Sequence, residues 1–372
     1  MGQNSTMSDL YVGLMSGTSL DGADGVLVDF SGTHLKVLAA ASERFTGAFR
    51  AELLSLNSPS GNELHRAALA ANQLANVYAK VVQALLRDVS ASVIAIGAHG
   101  QTVRHQPQIE AGYTLQLNNP ARLAELVGID VVADFRSRDI AAGGQGAPLV
   151  PAFHQSVFGQ VGTTISVLNI GGISNISVLP DDETAPVLGF DCGPGNALMD
   201  AWCQQNTGQS FDAGGAWAAS GKLIPTLLNS LLKDPYFAKP PPKSTGRDLF
   251  SQQWLAGKLA PFLEERPADI QNTLTEFTAS ACINSVCSYG KDSKELVVCG
   301  GGAFNLHLMR RLQAGLPQLR VVSSSSHGLP PLQVEAAAFA WLARQTLQRL
   351  PGNLPSVTGA AGPRILGAIY PA

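Results

Sequence analysis

The sequence is poor in the features that mark several large classes of protein. Charged residues make up only 14% of the 372 residues, and lysine and arginine form no run. We therefore expect neither a nucleic-acid partner nor an anionic membrane surface. No apolar stretch approaches the length of a membrane span, and the first residues show no signal-peptide pattern. The five cysteines have no CxxC spacing, which predicts free thiols in a reducing cytoplasm.

Two common nucleotide-binding motifs are also missing. The closest approach to a Walker A loop, GAWAASGKL, has the wrong spacing and places a leucine after Lys222. No GxGxxG occurs, so we expect no dinucleotide site of the Rossmann type. No spacing of cysteine or histidine indicates a metal site. A bound nucleotide would have to be held by a different arrangement.

What the sequence does contain is a repeated pattern of strand, glycine turn and strand. YVGLMSGTSLDGADGVLVDF, residues 11–30, has two apolar runs around a polar turn, in which Asp21-Gly22 predicts a tight hairpin. TTISVLNIGGISNISVLP, residues 163–180, repeats this design. Amphipathic helices alternate with buried strands after each hairpin, which is typical of the α/β class.

Length and the repeat together predict two domains. We expect the first over residues 9–160 and the second over 161–372. The segment LQVEAAAFAWLARQTLQRL predicts a long amphipathic helix, with 331–346 at the interface between the domains.

Four glycine turns follow predicted strands: SGTSLDG, NIGGISN, DCGPGN and CGGGAFN. Without a Cβ, a glycine turn lets backbone N–H groups approach an anion closely. Two such turns facing each other would hold a polyphosphate, and a carboxylate between them would hold Mg²⁺. Any single turn of this composition also serves as an ordinary hairpin, so the pattern alone leaves both interpretations open.

Eight ordered motifs resemble one known family. They are GLMSGTSLDGADGVL, GAHGQTVRHQP, DFRSRDIAAGGQGAPLVP, LNIGGISNIS, FDCGPGNALMDAW, PPPKSTGRDLF, VVCGGGAFN and ILGAIYP. Together they resemble the anhydro-N-acetylmuramic acid kinases of the sugar kinase, heat-shock chaperone and actin superfamily. One departure is Cys192, where the family usually has threonine, and it is expected to place a thiol beside Asp191.

The resemblance implies an α/β fold of two actin-like (ribonuclease H-like) domains with ATP and Mg²⁺ in the cleft between them. It implies transfer of the γ-phosphoryl group to O6 of 1,6-anhydro-N-acetylmuramic acid, while water opens the anhydro bridge at C1. The products would be ADP and N-acetylmuramic acid 6-phosphate, in peptidoglycan recycling. A homodimer is implied as well.

The resemblance also assigns nucleotide-binding residues. The first phosphate loop would consist of Gly17, Thr18, Ser19, Leu20, Asp21, Gly22, Ala23 and Asp24, with Asp21 on the Mg²⁺ side, directly or through water. The second phosphate loop would contain Gly171 and Gly172. The adenosine turn would consist of Gly300, Gly301, Gly302 and Asn305.

Asp191 is implied as the general base that takes a proton from the attacking water, and its unperturbed pKa would be about 4. Arg136 and Arg138 are candidates for the lactyl carboxylate, because a guanidinium pairs with a carboxylate in bidentate fashion. His99 and Glu335 are candidates for sugar hydroxyls. A solvated loop arginine and a purely structural histidine remain open alternatives.

Two other functions stay open from sequence. A plain hexosamine kinase of the same fold would use Asp191 to deprotonate a sugar hydroxyl instead of water. A nucleotide-switched binding protein would need a peptide-binding domain, which the motifs do not indicate.

Overall fold

Strands of two separate sheets carry the glycine turns. The computed structural model describes residues 9–17, 19–182, 184–246 and 249–372. The strands are β1 Leu10–Met15, β2 Gly22–Asp29, β3 Lys36–Arg44, β4 Ala95–Ala98, β5 Gln101–Gln106, β6 Tyr113–Leu117, β7 Val131–Ala133, β8 Ile165–Ile170, β9 Ile173–Leu179, β10 Leu188–Pro194, β11 Glu295–Cys299, β12 Arg320–Ser323 and β13 Ala368–Tyr370.

The two larger sheets share one topology. The first has the order β13-β7-β4-β1-β2-β3 and the second the order β10-β9-β8-β11-β12. In the first sheet, β1 pairs antiparallel with β2 and parallel with β4. In the second sheet, β8 pairs antiparallel with β9 and parallel with β11. Numbered within each unit, both sheets therefore have the core order 3-2-1-4-5. This repeat in three dimensions confirms the α/β class and the actin-like strand order of both halves. β5 and β6 form a separate hairpin.

The described part of the chain forms thirteen α-helices. They are α1 Gly47–Ser55, α2 Glu63–Leu86, α3 Pro120–Val127, α4 Ser137–Ala141, α5 Val150–Phe158, α6 Ala197–Thr207, α7 Ala216–Ala219, α8 Pro225–Leu232, α9 Gln252–Leu259, α10 Pro267–Tyr289, α11 Leu306–Gly315, α12 Val334–Leu347 and α13 Pro355–Thr358. No helix in the described part of the chain is long and apolar enough to cross a bilayer.

Local sequence explains where several helices begin. Asn119 accepts a hydrogen bond from the backbone N–H of Arg122, and Pro120 occupies the first turn of α3, where its missing N–H is not needed. Gly128 ends the same helix in the left-handed conformation, which a side chain would disfavour. The Asn-Pro pair thus accounts for the start of α3.

The division into units differs from the predicted one. Unit 1 runs to Phe153 and resumes at Gln333, whereas unit 2 spans His154–Leu332. The predicted boundary at 160/161 is therefore a few residues late, and assigning the C-terminal segment to the second domain is wrong. The division falls within α5.

The packing of α12 gives the reason for this correction. The helix lies directly on the first sheet, where a Cβ at Gly13 or at Gly97 would stand 1.9 Å from a backbone carbonyl oxygen of α12. Ten of its residues are buried, so the helix is apolar on nearly all sides and not amphipathic as predicted. The glycines in β1 and β4 thus let α12, which is distant in sequence, pack closely against these two strands.

Candidate active site

Three of the predicted glycine turns meet at the carboxyl end of β8 in unit 2. Gly171 and Gly172 form the turn between β8 and β9. Their carbonyl groups accept hydrogen bonds from the backbone N–H groups of Asn196, at 2.8 Å, and of Gly195, at 2.9 Å. The turn that precedes α6 is therefore fastened to the turn that follows β8.

The third turn follows β11. Gly300 has a φ of +77°, and a Cβ there would stand 2.4 Å from Oδ1 of Asn169. Only glycine fits this approach, which explains the first residue of the GGG sequence. Asn305 caps α11, because its Oδ1 accepts the backbone N–H of Leu308, and it also lines the cavity beside these turns.

A cavity of about 430 Å³ opens beside these turns, wholly within unit 2. We call it the unit-2 cavity. Its lining residues are Asn196, Met199, Asp200, Phe211, Asp212, Gly214, Gln271, Gly301, Phe304, Asn305 and Leu332. Apolar walls with a few polar groups, in a volume of this order, are typical of small-molecule sites.

Asp191 lies on β10, one element before the turn that leads into α6. Its Oδ2 accepts the backbone N–H of Thr245 at 2.9 Å. Its own N–H donates to the carbonyl of Lys243, and its carbonyl accepts the hydroxyl of Tyr236 at 2.7 Å. These bonds fix the segment that follows the prolines at 240–242 along β10. Asp191 is therefore held through both its main chain and its side chain.

Burial raises the pKa of the Asp191 carboxyl to about 6, and the N–H of Thr245 offsets part of that rise. The expectation of a pKa near 4 was therefore too low. Cys192 is buried, and its side chain belongs to the core of unit 2. Burial raises the pKa of this thiol well above its ordinary value, so the neighbour of Asp191 in sequence is a neutral core residue.

The first predicted phosphate loop lies in unit 1, between β1 and β2. Thr18 lies outside the described residues. The carbonyl of Gly17 accepts the N–H of Leu20 at 3.2 Å and Nε2 of Gln101 at 3.2 Å, which shapes the turn. The predicted tight hairpin at Asp21-Gly22 is wrong, because Gly22 already begins β2 and the connection spans residues 16–21.

Side chains of this loop point in different directions. Leu20 and Ala23 are buried in the core of unit 1, so their side chains cannot meet a ligand. Asp21 is exposed and lies 3.6 Å from Arg50. Although solvent reaches Asp24, its pKa is raised by partial removal from water and then by the charge of Asp21. Ser19 is half-buried beside them.

The pair Asp21 and Asp24 fits one kind of metal. No group of three or more potential ligand side chains occurs among the residues that the structure describes. Mg²⁺ commonly uses only one or two carboxylates and completes its shell with water and phosphate oxygens. The mutual repulsion of the two carboxylates is what a cation would relieve, so they suit Mg²⁺ and not a site built on cysteine or histidine.

Three of the predicted sugar-binding residues lie together in unit 1. Arg136 donates through Nε and Nη2 to Nε2 of His99, at 3.2 and 3.0 Å, and through Nη1 to the carbonyl of Gly146. Because Nε2 accepts, Nδ1 carries the proton and faces the carbonyl of Ser16 at 3.3 Å. Burial, and then Arg136, lower the pKa of His99 to about 3, so the ring is neutral.

Glu335 is the third member of this group. His99 packs on Phe339 of α12 with 4.7 Å between ring centroids, and Glu335 lies one turn earlier on that helix. Solvent reaches Glu335, but the surrounding protein removes part of its hydration and thereby raises its pKa. The nearby positive charge of Arg136 acts in the opposite direction and lowers the pKa. Arg138 is exposed on α4 and is not part of the group.

Sequence reasoning missed several residues that shape these sites. Tyr236, Lys243 and Thr245 hold Asp191, and the motif PPPKSTGRDLF, which contains two of them, supported the family resemblance without an assigned role. Gln271 lines the unit-2 cavity from α10, in a stretch that carries no motif. A proline run before KSTG was the one available signal, because prolines pre-set an extended path beside a strand.

Two α/β units of this strand order, with glycine turns at strand ends, are the fold of the actin-like ATPases and sugar kinases. A family model described as anhydro-N-acetylmuramic acid kinase matches residues 9–372. Proteins named anhydro-N-acetylmuramic acid kinase in Variovorax paradoxus and Albidiferax ferrireducens are 65% and 64% identical to the chain. Those alignments cover 98% of this chain, and 99% and 100% of the two relatives.

Among solved structures, component A of the (R)-2-hydroxyglutaryl-CoA dehydratase of Acidaminococcus fermentans aligns with a TM-score of 0.47 at 12% identity. That alignment covers 89% of this chain and 98% of the other. The family match over nearly the whole chain is the finding that decides. The chain belongs to the anhydro-N-acetylmuramic acid kinase family, and it is a phosphotransferase.

Proposed function

We propose that the protein uses Mg²⁺-ATP to phosphorylate O6 of 1,6-anhydro-N-acetylmuramic acid while water opens the 1,6-anhydro ring. The observation that supports this most directly is Asp191, a held carboxylate with a pKa of about 6 in the same unit as three converging glycine turns. Family membership supplies the substrate. The products are ADP and N-acetylmuramic acid 6-phosphate.

In this reaction Asp191 removes a proton from the water that attacks C1. The C1–O6 bond breaks as the new C1–OH bond forms, and O6 takes the γ-phosphoryl group from ATP. One proton thus passes to Asp191, and ADP leaves. A raised pKa makes the carboxylate a stronger base while leaving it ionised at neutral pH, which is the compromise that general-base catalysis favours.

The glycine turns and the unit-2 cavity would bind the nucleotide. Backbone N–H groups around Gly171, Gly172 and the loop at Gly17–Asp24 would meet phosphate oxygens. The unit-2 cavity would take the nucleoside, with Gly301 leaving room for it at the turn formed with Gly300 and Gly302. Asp21 and Asp24 would hold Mg²⁺, directly or through water, and the ion would neutralise charge on the phosphate oxygens.

The sugar would be bound by the group in unit 1. Arg136 is held by His99 and Gly146 and keeps further N–H groups that can pair with the lactyl carboxylate. Neutral His99 orients that guanidinium. Glu335 would accept from sugar hydroxyls. Arg138 remains the second candidate for the lactyl group, because it is exposed.

Mass analysis of the products made in ¹⁸O-water tests this function. The proposal predicts label at C1 of a phosphorylated, ring-opened product. A phosphorylated product that keeps the anhydro ring would favour the plain hexosamine kinase instead, and a ring-opened product without label at C1 would refute attack of water at C1. Absence of any ATP-dependent product would refute both.

Two further expectations accompany the function. The resemblance implies a homodimer, and sedimentation equilibrium would show twice the mass of 38.9 kDa if that is correct. A cytoplasmic location also stays a prediction, which fractionation of the producing cells would test.

A further inference from the structure

The polar groups around the unit-2 cavity are not equivalent. Asn196 donates through Nδ2 to the carbonyl of Ile170 at 3.0 Å. Asp212 accepts backbone N–H groups with both oxygens, from Trp217 and Ala218. These side chains are already committed to the protein's own main chain.

Gln271 is different. It has no exposed surface, and neither Nε2 nor Oε1 has a hydrogen-bond partner among the described residues. Its neighbours on α10 are all engaged: Asp269 and Thr273 accept the N–H groups of the segment at Lys222–Ile224, and Asn272 donates to the carbonyl of Gly221. The helix therefore uses one face to fasten that segment and directs Gln271 to the cavity.

A buried amide without partners is unfavourable, because it has left water and found no replacement. Such a group is expected to be paired when a ligand occupies the cavity. An amide offers an acceptor and a donor side by side. Adenine presents the complementary edge, with the 6-amino group as donor beside a ring nitrogen as acceptor.

The walls of the cavity suit the same ligand. Met199, Phe211, Phe304 and Leu332 supply apolar surface that can cover the faces of a purine. The glycine at 301 leaves the backbone open beside them. A flat, aromatic heterocycle with one polar edge satisfies both the walls and the amide.

We propose that Gln271 reads the 6-amino edge of the purine and sets the nucleotide preference of the kinase. This inference rests on the proposed function, in which the cavity holds the nucleoside. Oε1 accepts the 6-amino group, and Nε2 donates to the adjacent ring nitrogen. The residue determines specificity and takes no part in the chemistry.

The test compares kcat/KM for ATP with kcat/KM for purine riboside triphosphate, which lacks only the 6-amino group. The wild-type protein should prefer ATP by about 5- to 140-fold, because purine riboside triphosphate would leave the buried Oε1 of Gln271 unpaired. Gln271→Leu should bring the ratio close to 1. The ratio within one variant does not depend on the active fraction, so partial misfolding leaves it readable.

Three further arms sharpen the result. Gln253→Leu, an exposed glutamine on α9, should keep the wild-type ratio. Phe304→Ala should weaken both nucleotides equally, because it removes stacking without touching the polar edge. Gln271→Glu keeps the acceptor for the 6-amino group and loses the donor to the ring nitrogen, which both triphosphates have, so it should weaken both nucleotides and keep a preference for ATP.

A wild-type ratio near 1 would overturn the inference without any variant, and it would mean that water pairs with the amide. An unchanged ratio in Gln271→Leu would also overturn it. Calorimetric titration with each triphosphate, without sugar, separates this from failure of the proposed function. Nucleotide binding without discrimination refutes only the role of Gln271, whereas no nucleotide binding refutes the nucleoside cavity itself.

Discussion

Replacing Asp191 with asparagine is expected to stabilise the protein at neutral and alkaline pH. Burial raises the pKa of this carboxyl from 3.8 to about 6. A raised pKa means that the folded protein favours the protonated acid. The resulting stability is fully present below pH 3.8 and is lost as the pH rises through about 6. Asparagine is neutral throughout and avoids that loss.

The size of the effect follows from the shift in pKa. About two units correspond to roughly 3 kcal/mol of unfolding free energy at pH 8, and about 1 kcal/mol at pH 4.5. Asparagine keeps an oxygen for the N–H of Thr245 but adds an amide group that needs partners, which subtracts about 1–2 kcal/mol at every pH. The gain in unfolding free energy should therefore be about 2 kcal/mol larger at pH 8 than at pH 4.5. The cost of the amide group is the same at both pH values and cancels in this difference.

Urea unfolding followed by tryptophan fluorescence measures this difference. Trp202, Trp217 and Trp254 lie in unit 2, so the signal reports mainly the unit that contains Asp191. Asp182→Asn is a matched control, because hydrogen bonds with Thr184 lower the pKa of that exposed carboxyl. If Asp191→Asn raises the free energy of unfolding by the same amount at pH 4.5 and at pH 8, the raised pKa of Asp191 is refuted.

Three further outcomes are expected. For the wild-type protein, kcat/KM should fall about tenfold per pH unit below pH 6 as Asp191 becomes protonated; a flat profile from pH 7 to pH 5 would contradict a base of this pKa. Arg136→Met or Arg138→Met should raise KM about 10- to 100-fold for the muramyl sugar and spare an anhydro-sugar without the lactyl group, and equal losses on both would exclude that contact. Asp21→Asn should raise the Mg²⁺ concentration for half-maximal rate by roughly 10- to 100-fold, and an unchanged Mg²⁺ titration would remove Asp21 from the metal side.

The strand and turn pattern of the sequence predicted much of the fold. β1, β2, β8 and β9 appear where apolar runs flank glycine turns, since short buried strands of β-branched residues carry a strong local signal. α2 forms over Glu63–Leu86, where apolar residues recur at helical spacing, as expected of the amphipathic helices that follow each hairpin.

The parts that failed depend on contacts between distant segments. Gly13 and Gly97 look like ordinary strand glycines in sequence, and nothing local shows that they make room for α12. Leu20 stays a prediction for the phosphate loop through its backbone, and nothing local in sequence shows that its side chain packs in the core of unit 1. Asp191 was named as the general base from sequence, but its raised pKa was not predicted. That pKa depends on burial and on Thr245, which is 54 positions away.

The most direct test of the central role of Asp191 is a single-turnover measurement on the purified Asp191→Asn variant with ATP, Mg²⁺ and the anhydro-sugar. Loss of the base should lower the rate by about 10²- to 10⁴-fold, while calorimetry shows nucleotide and sugar bound as in the wild-type protein. A folded variant that turns over at a near-normal rate would show that another group activates the water.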